Sequence, residues 1–350
     1  MLRAAFLVLL CLTTSVRADS NKITVKIDEY TKERIDKALD WLASKQNGDG
    51  SWSDMPRFPN NVAVTSFAML GFMSQGHVPN QGKYGSNVSK GLRFLLSQAR
   101  DDGLIAGPRS GQDMMYCHGI ATLTLSQLLG MFNDELVKKT LQKAVKLIIR
   151  CQTRDGGINH GGWRYTPFPG QADISVTIMQ VMALRSAKDS GMLVPDETMK
   201  RALSYINSCY DENTGGYTYM PKNHAPGFAR TAAGICVLKL CGEYDKKIDR
   251  SIEYLKKEML QPREHFWYGH YYACHAMHQV GGKDWEDYYN YIRKEFLPAK
   301  NRDGYHSQHQ QSENGSWSRF DGQGSGPVYQ TSVAVIALSV PANYLPIFQR

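Results

Sequence analysis

One carboxylate is set apart by its surroundings. Asp173 opens the apolar run Asp173-Ile174-Ser175-Val176-Thr177, and a carboxyl at the start of a helix can donate a proton or stabilise a cation. It has no acidic partner close in sequence, so paired-acid glycoside chemistry lacks a second member. His275 and His278 sit three residues apart near His270 and could share a metal, but no carboxylate or cysteine pattern completes a familiar ligand set, and no metal site is expected. Cys117 and His118 are adjacent, so on a helix they project in different directions and make a poor nucleophile pair. The six cysteines after residue 18 form no C-x-x-C pair, which argues against a thiolate zinc or redox motif. Cys151 and Cys209 occupy similar places in successive units and admit one bridge. Tyr116, Trp163, Tyr165, Phe266, Trp267, Tyr268, Tyr271, Tyr272 and Tyr329 fall at turns or near the starts of apolar segments. Together they are expected to line a hydrophobic cavity whose ring faces stabilise apolar surface and cations.

The elements that position these residues repeat along the chain. An apolar set at i, i+3, i+4, i+7 marks an amphipathic helix. It begins at Ile35, Val88 and Leu141, a spacing of 53 residues, and returns at Met199, Ile248 and Trp285. Each such helix is followed by one that is apolar almost all round, over 62–72, 119–131, 174–184, 231–240, 271–280 and 331–340. A helix with no polar face must be covered on both sides. Six half-wet helices alternating with six dry ones predict two concentric layers, an all-α (α/α)6 double-ring toroid of six helix hairpins. The apolar tail (Val340, Tyr344, Leu345, Ile347, Phe348) suggests closure onto the first unit rather than an open solenoid.

The turns carry a second periodic signal. Residues 46–52 and 311–317 share Gln, three residues, Gly, any residue, Trp. Residues 152–158 repeat it with Ile158 in the Trp place, 98–105 is one residue longer, and Gly215-Gly216-Tyr217 keeps only the end. Glycine permits the sharp turn, the aromatic can plug a seam between units, and the glutamine can bond backbone groups at a helix end.

These repeated Gln-x3-Gly-x-Trp units, each followed by an apolar helix, resemble the terpene cyclase and protein prenyltransferase superfamily over residues 30–348. Gly161-Gly162-Trp163-Arg164-Tyr165 with Asp173 to Thr177, Gln180 and Ala183-Leu184 resembles exported bacterial squalene-hopene-cyclase-like repeat proteins. The resemblance implies an isoprenoid or other lipid ligand in the central cavity and, if the protein turns anything over, a terpenoid cyclase or mutase acting as isomerase or lyase. The cyclase acid motif Asp-x-Asp-Asp-Thr is only half kept, because Ser175 and Val176 replace its two central carboxylates. A prenyltransferase zinc site would lack its cysteine, since Ser175 stands in that place as well. The expected site is therefore Asp173 as acid or cation stabiliser, with Tyr116, His118, Trp163, Tyr165, Tyr271, His275 and Tyr329 around the cavity and no cofactor. Two rivals are weighed: a non-enzymatic scaffold binding another exported protein through rim loops 52–61, 104–114 and 299–328, and a carbohydrate-active toroid.

Residues 1–18 read as an export signal, with Arg3 before an apolar run and Val16-Arg17-Ala18 as the cleavage pattern. A single domain, 19–350, and a secreted or periplasmic location follow as expectations. The formal charge of +8 comes from 41 Lys+Arg against 33 Asp+Glu, and the excess is scattered without a basic block, which excludes an obvious nucleic-acid surface. No apolar run is long enough to span a membrane.

Overall fold

The computed structural model describes residues 25–54, 61–107, 113–222, 225–259, 265–299, 307–318 and 326–349. The expected leader and much of the three rim loops lie outside these residues. Twelve helices alternate between two layers. The outer six are α1 (Glu29–Ser44), α3 (Gly85–Ser97), α5 (Glu135–Arg150), α7 (Asp196–Ser208), α9 (Lys246–Met259) and α11 (Gly282–Phe296). The inner six are α2 (Val62–Met73), α4 (Met114–Met131), α6 (Ile174–Asp189), α8 (Phe228–Leu240), α10 (Phe266–Val280) and α12 (Pro327–Ser339).

The outer helices bury the stripes that the periodicity marks. In α1, Ile35, Ala38, Leu39 and Leu42 are all fully buried. The inner helices pack side by side, α2 on α4, then α6, α8, α10 and α12, and α12 returns to α2. The ring is closed. Among the described residues there is no strand, only isolated bridges such as that between Trp163 and Asp173, and no helix is long and apolar enough to cross a membrane.

Three of the seams between neighbouring hairpins are built by the full turn motif. The Trp52 indole donates to the Leu42 carbonyl (2.7 Å) while its backbone N–H donates to the Thr65 hydroxyl (3.0 Å). Trp317 does the same with Phe296 and Thr331. The Gln46 amide bridges to the Gly50 and Asn87 carbonyls, both at 2.9 Å, and so ties its turn to the next outer helix. The glycine has a steric reason as well. Gly50 has φ 90°, and a Cβ there would lie 2.4 Å from the Lys90 carbonyl oxygen.

The third seam corrects the sequence reading. Gln152 bonds the Gly161 and Thr198 carbonyls, and Trp163 donates to Ile148 and Thr177. Trp163, not Ile158, therefore fills the aromatic place, after an insertion that lengthens the turn. Ile158 is exposed.

Ring closure also differs from the expected route. The last turn reaches α1 through Gln311, whose amide donates to the Arg34 carbonyl at 2.9 Å. The apolar tail instead lies across the C-terminal ends of the inner helices. Ile347 N–H donates to the Gln127 side chain, and Phe348 stacks on the His275 ring at 3.4 Å. The six cysteines are free thiols, so Cys151 and Cys209 are not bridged.

Candidate functional site: an aromatic cavity at the inner-helix N-termini

The six inner helices point their N-termini to one end of the ring, where they enclose a cavity of about 790 Å³. That is the size range of small-ligand sites. Residues spaced by one turn supply its walls: Ala63 and Phe67 from α2, Tyr116 and Ile120 from α4, Ser175 and Met179 from α6. The first turn of α8, Tyr268 of α10 and Tyr329 of α12 complete it. Asn61, Asp113, Glu258 and His265 add polar groups to the lining. Phe67 packs edge-on against Tyr329 at 4.9 Å and against Tyr271 at 5.2 Å, and Tyr116 lies 5.8 Å from Tyr165.

Two polar side chains of the lining make no well-formed side-chain hydrogen bond. The Tyr268 hydroxyl is buried close to those of Tyr116, Ser175 and Tyr272, without a well-aligned bond to any of them. Asp113 precedes α4 but makes no side-chain cap, and burial alone raises its carboxyl above the ordinary value of 3.8.

Of the expected site residues, Tyr116, Tyr165 and Tyr329 line this cavity. Asp173 does not. It is fully buried as the N-cap of α6, accepting from Val176 N–H at 2.9 Å, with its second oxygen 3.6 Å from Arg164. Burial pushes its carboxyl up to about 6. Between Asp173 and the cavity wall lie Arg164, which covers the Tyr165 and Tyr219 rings, and the hydrogen bond joining the two tyrosine hydroxyls at 2.5 Å.

His118, Trp163, Tyr271 and His275 lie elsewhere. His118 is two residues past Tyr116, about 200° further round the helix, and so faces α5. Its Nδ1 accepts from Ile105 N–H (3.1 Å) and its Nε2 bonds the Ala144 carbonyl (3.2 Å). It thus takes the seam place that Thr65, Thr177, Thr231 and Thr331 hold in other units. Trp163 plugs its seam. Tyr271 packs behind Phe67 and is buried in the core. His275 is two turns beyond Tyr268, at the end covered by Phe348.

Sequence reading placed Tyr268 at the cavity mouth but missed Asp113, Arg230 and Glu258 as members of this lining. It also missed Asp54, whose carboxylate caps α12 by accepting from Val328 and Tyr329 N–H, both at 2.7 Å. Only the position of Asp54 two residues after the motif tryptophan could have flagged it. No group of three or more potential metal-binding side chains occurs among the described residues.

A family model, the prenyltransferase alpha-alpha toroid domain, matches residues 18–165 and 171–290. The chain belongs to this family. Within it, one local relative is the squalene–hopene cyclase of Bradyrhizobium diazoefficiens, 30% identical over 103 residues. That match spans 26% of this chain and 14% of the cyclase, so this chain aligns with only a small part of that protein's length. Solved structures share the architecture at low identity. An α-1,6-mannanase of Salegentibacter sp. HEL1_6 superposes with a TM-score of 0.65 at 10% identity, covering 90% of this chain and 99% of that one. A cellobiose 2-epimerase of Spirochaeta thermophila gives 0.63 at 12% identity, covering 91% and 99%. These likenesses place the toroid fold.

Proposed function

We propose that this protein is an exported, carbohydrate-active toroid whose cavity receives an oligosaccharide. The observation that carries the reading is the pairing of aromatic faces with polar groups on one cavity lining. Tyr116, Tyr165 and Tyr329 offer flat apolar surface for sugar rings, while Tyr268 and Asp113 offer a hydroxyl and a carboxylate. A wholly apolar occupant would keep these groups from water without replacing their hydrogen bonds, at about 1–3 kcal/mol each. Sugar hydroxyls replace those bonds. If glycosidic bonds are cleaved or rearranged here, Asp113 and Glu258 are the carboxylates that share the lining, and the raised value of Asp113 suits it to hold a proton. The similarity in fold to a mannanase and an epimerase supports the same reading.

An isoprenoid ligand is the second reading. It is favoured by the family, by the local likeness to a squalene–hopene cyclase, and by the apolar lining from Phe67, Ile120, Met179 and Phe228. In that reading Ser175 lines the cavity in place of the cyclase motif's central carboxylate, and Asp173 stays behind Arg164.

Titration calorimetry with tri- and tetrasaccharides, alongside native mass spectrometry of protein purified in mild detergent, separates the two. Saturable saccharide binding with no retained lipid is the expected result. A retained isoprenoid-sized mass, with no heat from any saccharide, would sink the carbohydrate reading.

A further inference from the structure

The far end of the ring holds a titratable side chain that neither the seams nor the cavity use. His275 of α10 is buried, with 2% of its surface exposed, and neither ring nitrogen has a hydrogen-bond partner. The Phe348 ring covers its face, stacked at 3.4 Å and within 4° of parallel. Phe348 belongs to the tail after Asn343, whose φ of 57° turns the chain back over the helix ends. Two side chains of the ring hold this tail. Gln127 accepts from Ile347 N–H, and Gln279 donates to the Phe348 carbonyl, both at 3.1 Å.

The surroundings of the imidazole suit only its neutral form. A void of about 10 Å³ beside it is lined by Ser74, Ser339, Asn343 and Tyr344 among apolar side chains. Tyr271 meets the ring edge-on at 5.4 Å. His278, one turn on along α10, acts on it electrostatically and would repel a second positive charge. Among the described residues, no carboxylate of α2, α8, α11, α12 or the tail acts on it. An imidazolium needs both N–H groups hydrogen-bonded and its charge compensated or hydrated. The docked position offers neither, so burial holds the imidazole well below its ordinary value of 6.5.

We infer that the tail, residues 343–349, is an acid-released strap, undocked from the inner-helix ends when His275 takes up a proton. Docking is at full strength above pH 6.5, where His275 is neutral even with the tail lifted. Below that value the lifted state binds the proton and gains about tenfold on the docked state for each pH unit. Acid thus uncovers the far face of the ring, with Asn343 as the hinge.

Hydrogen exchange of the whole protein at about pH 7 and about pH 4.5, corrected for the intrinsic rate, reads the strap through the Ile347 amide. Its protection is expected to fall about 100-fold over the two units below 6.5, while amides of α2 and α12 keep theirs. These ring amides are the internal reference, because His118 and His270 are also buried and held neutral, within the ring itself. His275→Phe keeps a stacking face and removes the titration, so the fall should vanish. If that variant does not fold, His275→Leu, equally without a titrating group, takes its place. A tail whose protection holds at the lower pH overturns the inference. So does protection lost only together with that of the ring, or a fall that survives the substitution of His275.

Discussion

The seams and the cavity mouth use polar side chains in opposite ways. At the seams Gln46, Gln152 and Gln311 each bond two carbonyls, and Trp52, Trp163 and Trp317 each place their indole N–H on a helix-end carbonyl. At the mouth, Tyr268, Arg230 and Asp113 line the cavity and clamp no two helices together. Buried polar groups in folded proteins are nearly always paired. A fully satisfied polar side chain in this ring therefore marks structure.

Substitutions break this contrast in a definite order. Trp163→Ala should cost most, about 3–5 kcal/mol of unfolding free energy, because it empties a fully packed seam and strands the Ile148 carbonyl; urea titration measures it. A loss below 1 kcal/mol would mean that the third seam is not a clamp.

Asp173→Ala comes next, at about 1–2 kcal/mol for a lost helix cap, while Asp173→Asn keeps an acceptor for Val176 N–H. The pH dependence of the Asn variant tests the buried charge. The carboxyl sits near 6 in the fold against an ordinary 3.8. Its contribution is therefore complete below about pH 3.8 and lost as pH rises through 6. The melting temperature of Asp173→Asn should accordingly gain on wild type between pH 4 and 7, and a constant difference would show that Asp173 does not titrate there.

Tyr268→Phe should act the other way round. It removes a hydroxyl that lies among those of Tyr116, Ser175 and Tyr272 without a well-aligned bond to any, so stability changes by less than about 1 kcal/mol, while saccharide affinity drops about five- to tenfold. Loss of stability without loss of affinity would reassign Tyr268 to the scaffold.

His118→Thr gives the smallest effect and the sharpest test of the seam alignment. It places in the second unit the residue type that four others use. Burial lowers the His118 imidazole to about 4 from 6.5, so the stability this neutral ring contributes is present above pH 6.5 and lost as pH falls towards 4. Any deficit of the Thr variant at pH 7 should narrow by pH 5, followed by thermal melts. A deficit that widens instead would contradict the neutral, doubly bonded histidine.

The ring was legible in the sequence because its signals are periodic. The stripe from Ile35 to Leu42 and the Gln-Gly-Trp turns repeat, and repetition separates them from chance. The cavity was only partly legible, for a physical reason. The apolar segments read from the sequence begin at 119, 231, 271 and 331, yet the helices begin at Met114, Phe228, Phe266 and Pro327. The first turns escaped the apolar pattern because they carry Tyr116, Arg230, Tyr268 and Tyr329, which face the cavity rather than the core. Arg230 is one of 41 cationic residues, and nothing local marks it as a cavity residue. Trp163 was placed in the cavity because the turn insertion that sends it to the seam has no signature in spacing.

The tail across the far end of the ring has a consequence for traffic. With Phe348 stacked on His275 and Ile347 held by Gln127, the tail packs over the end of the inner helices opposite the cavity. An occupant of the cavity is therefore met by the N-terminal turns of the inner helices, and the tail is the element that separates it from the far face of the ring.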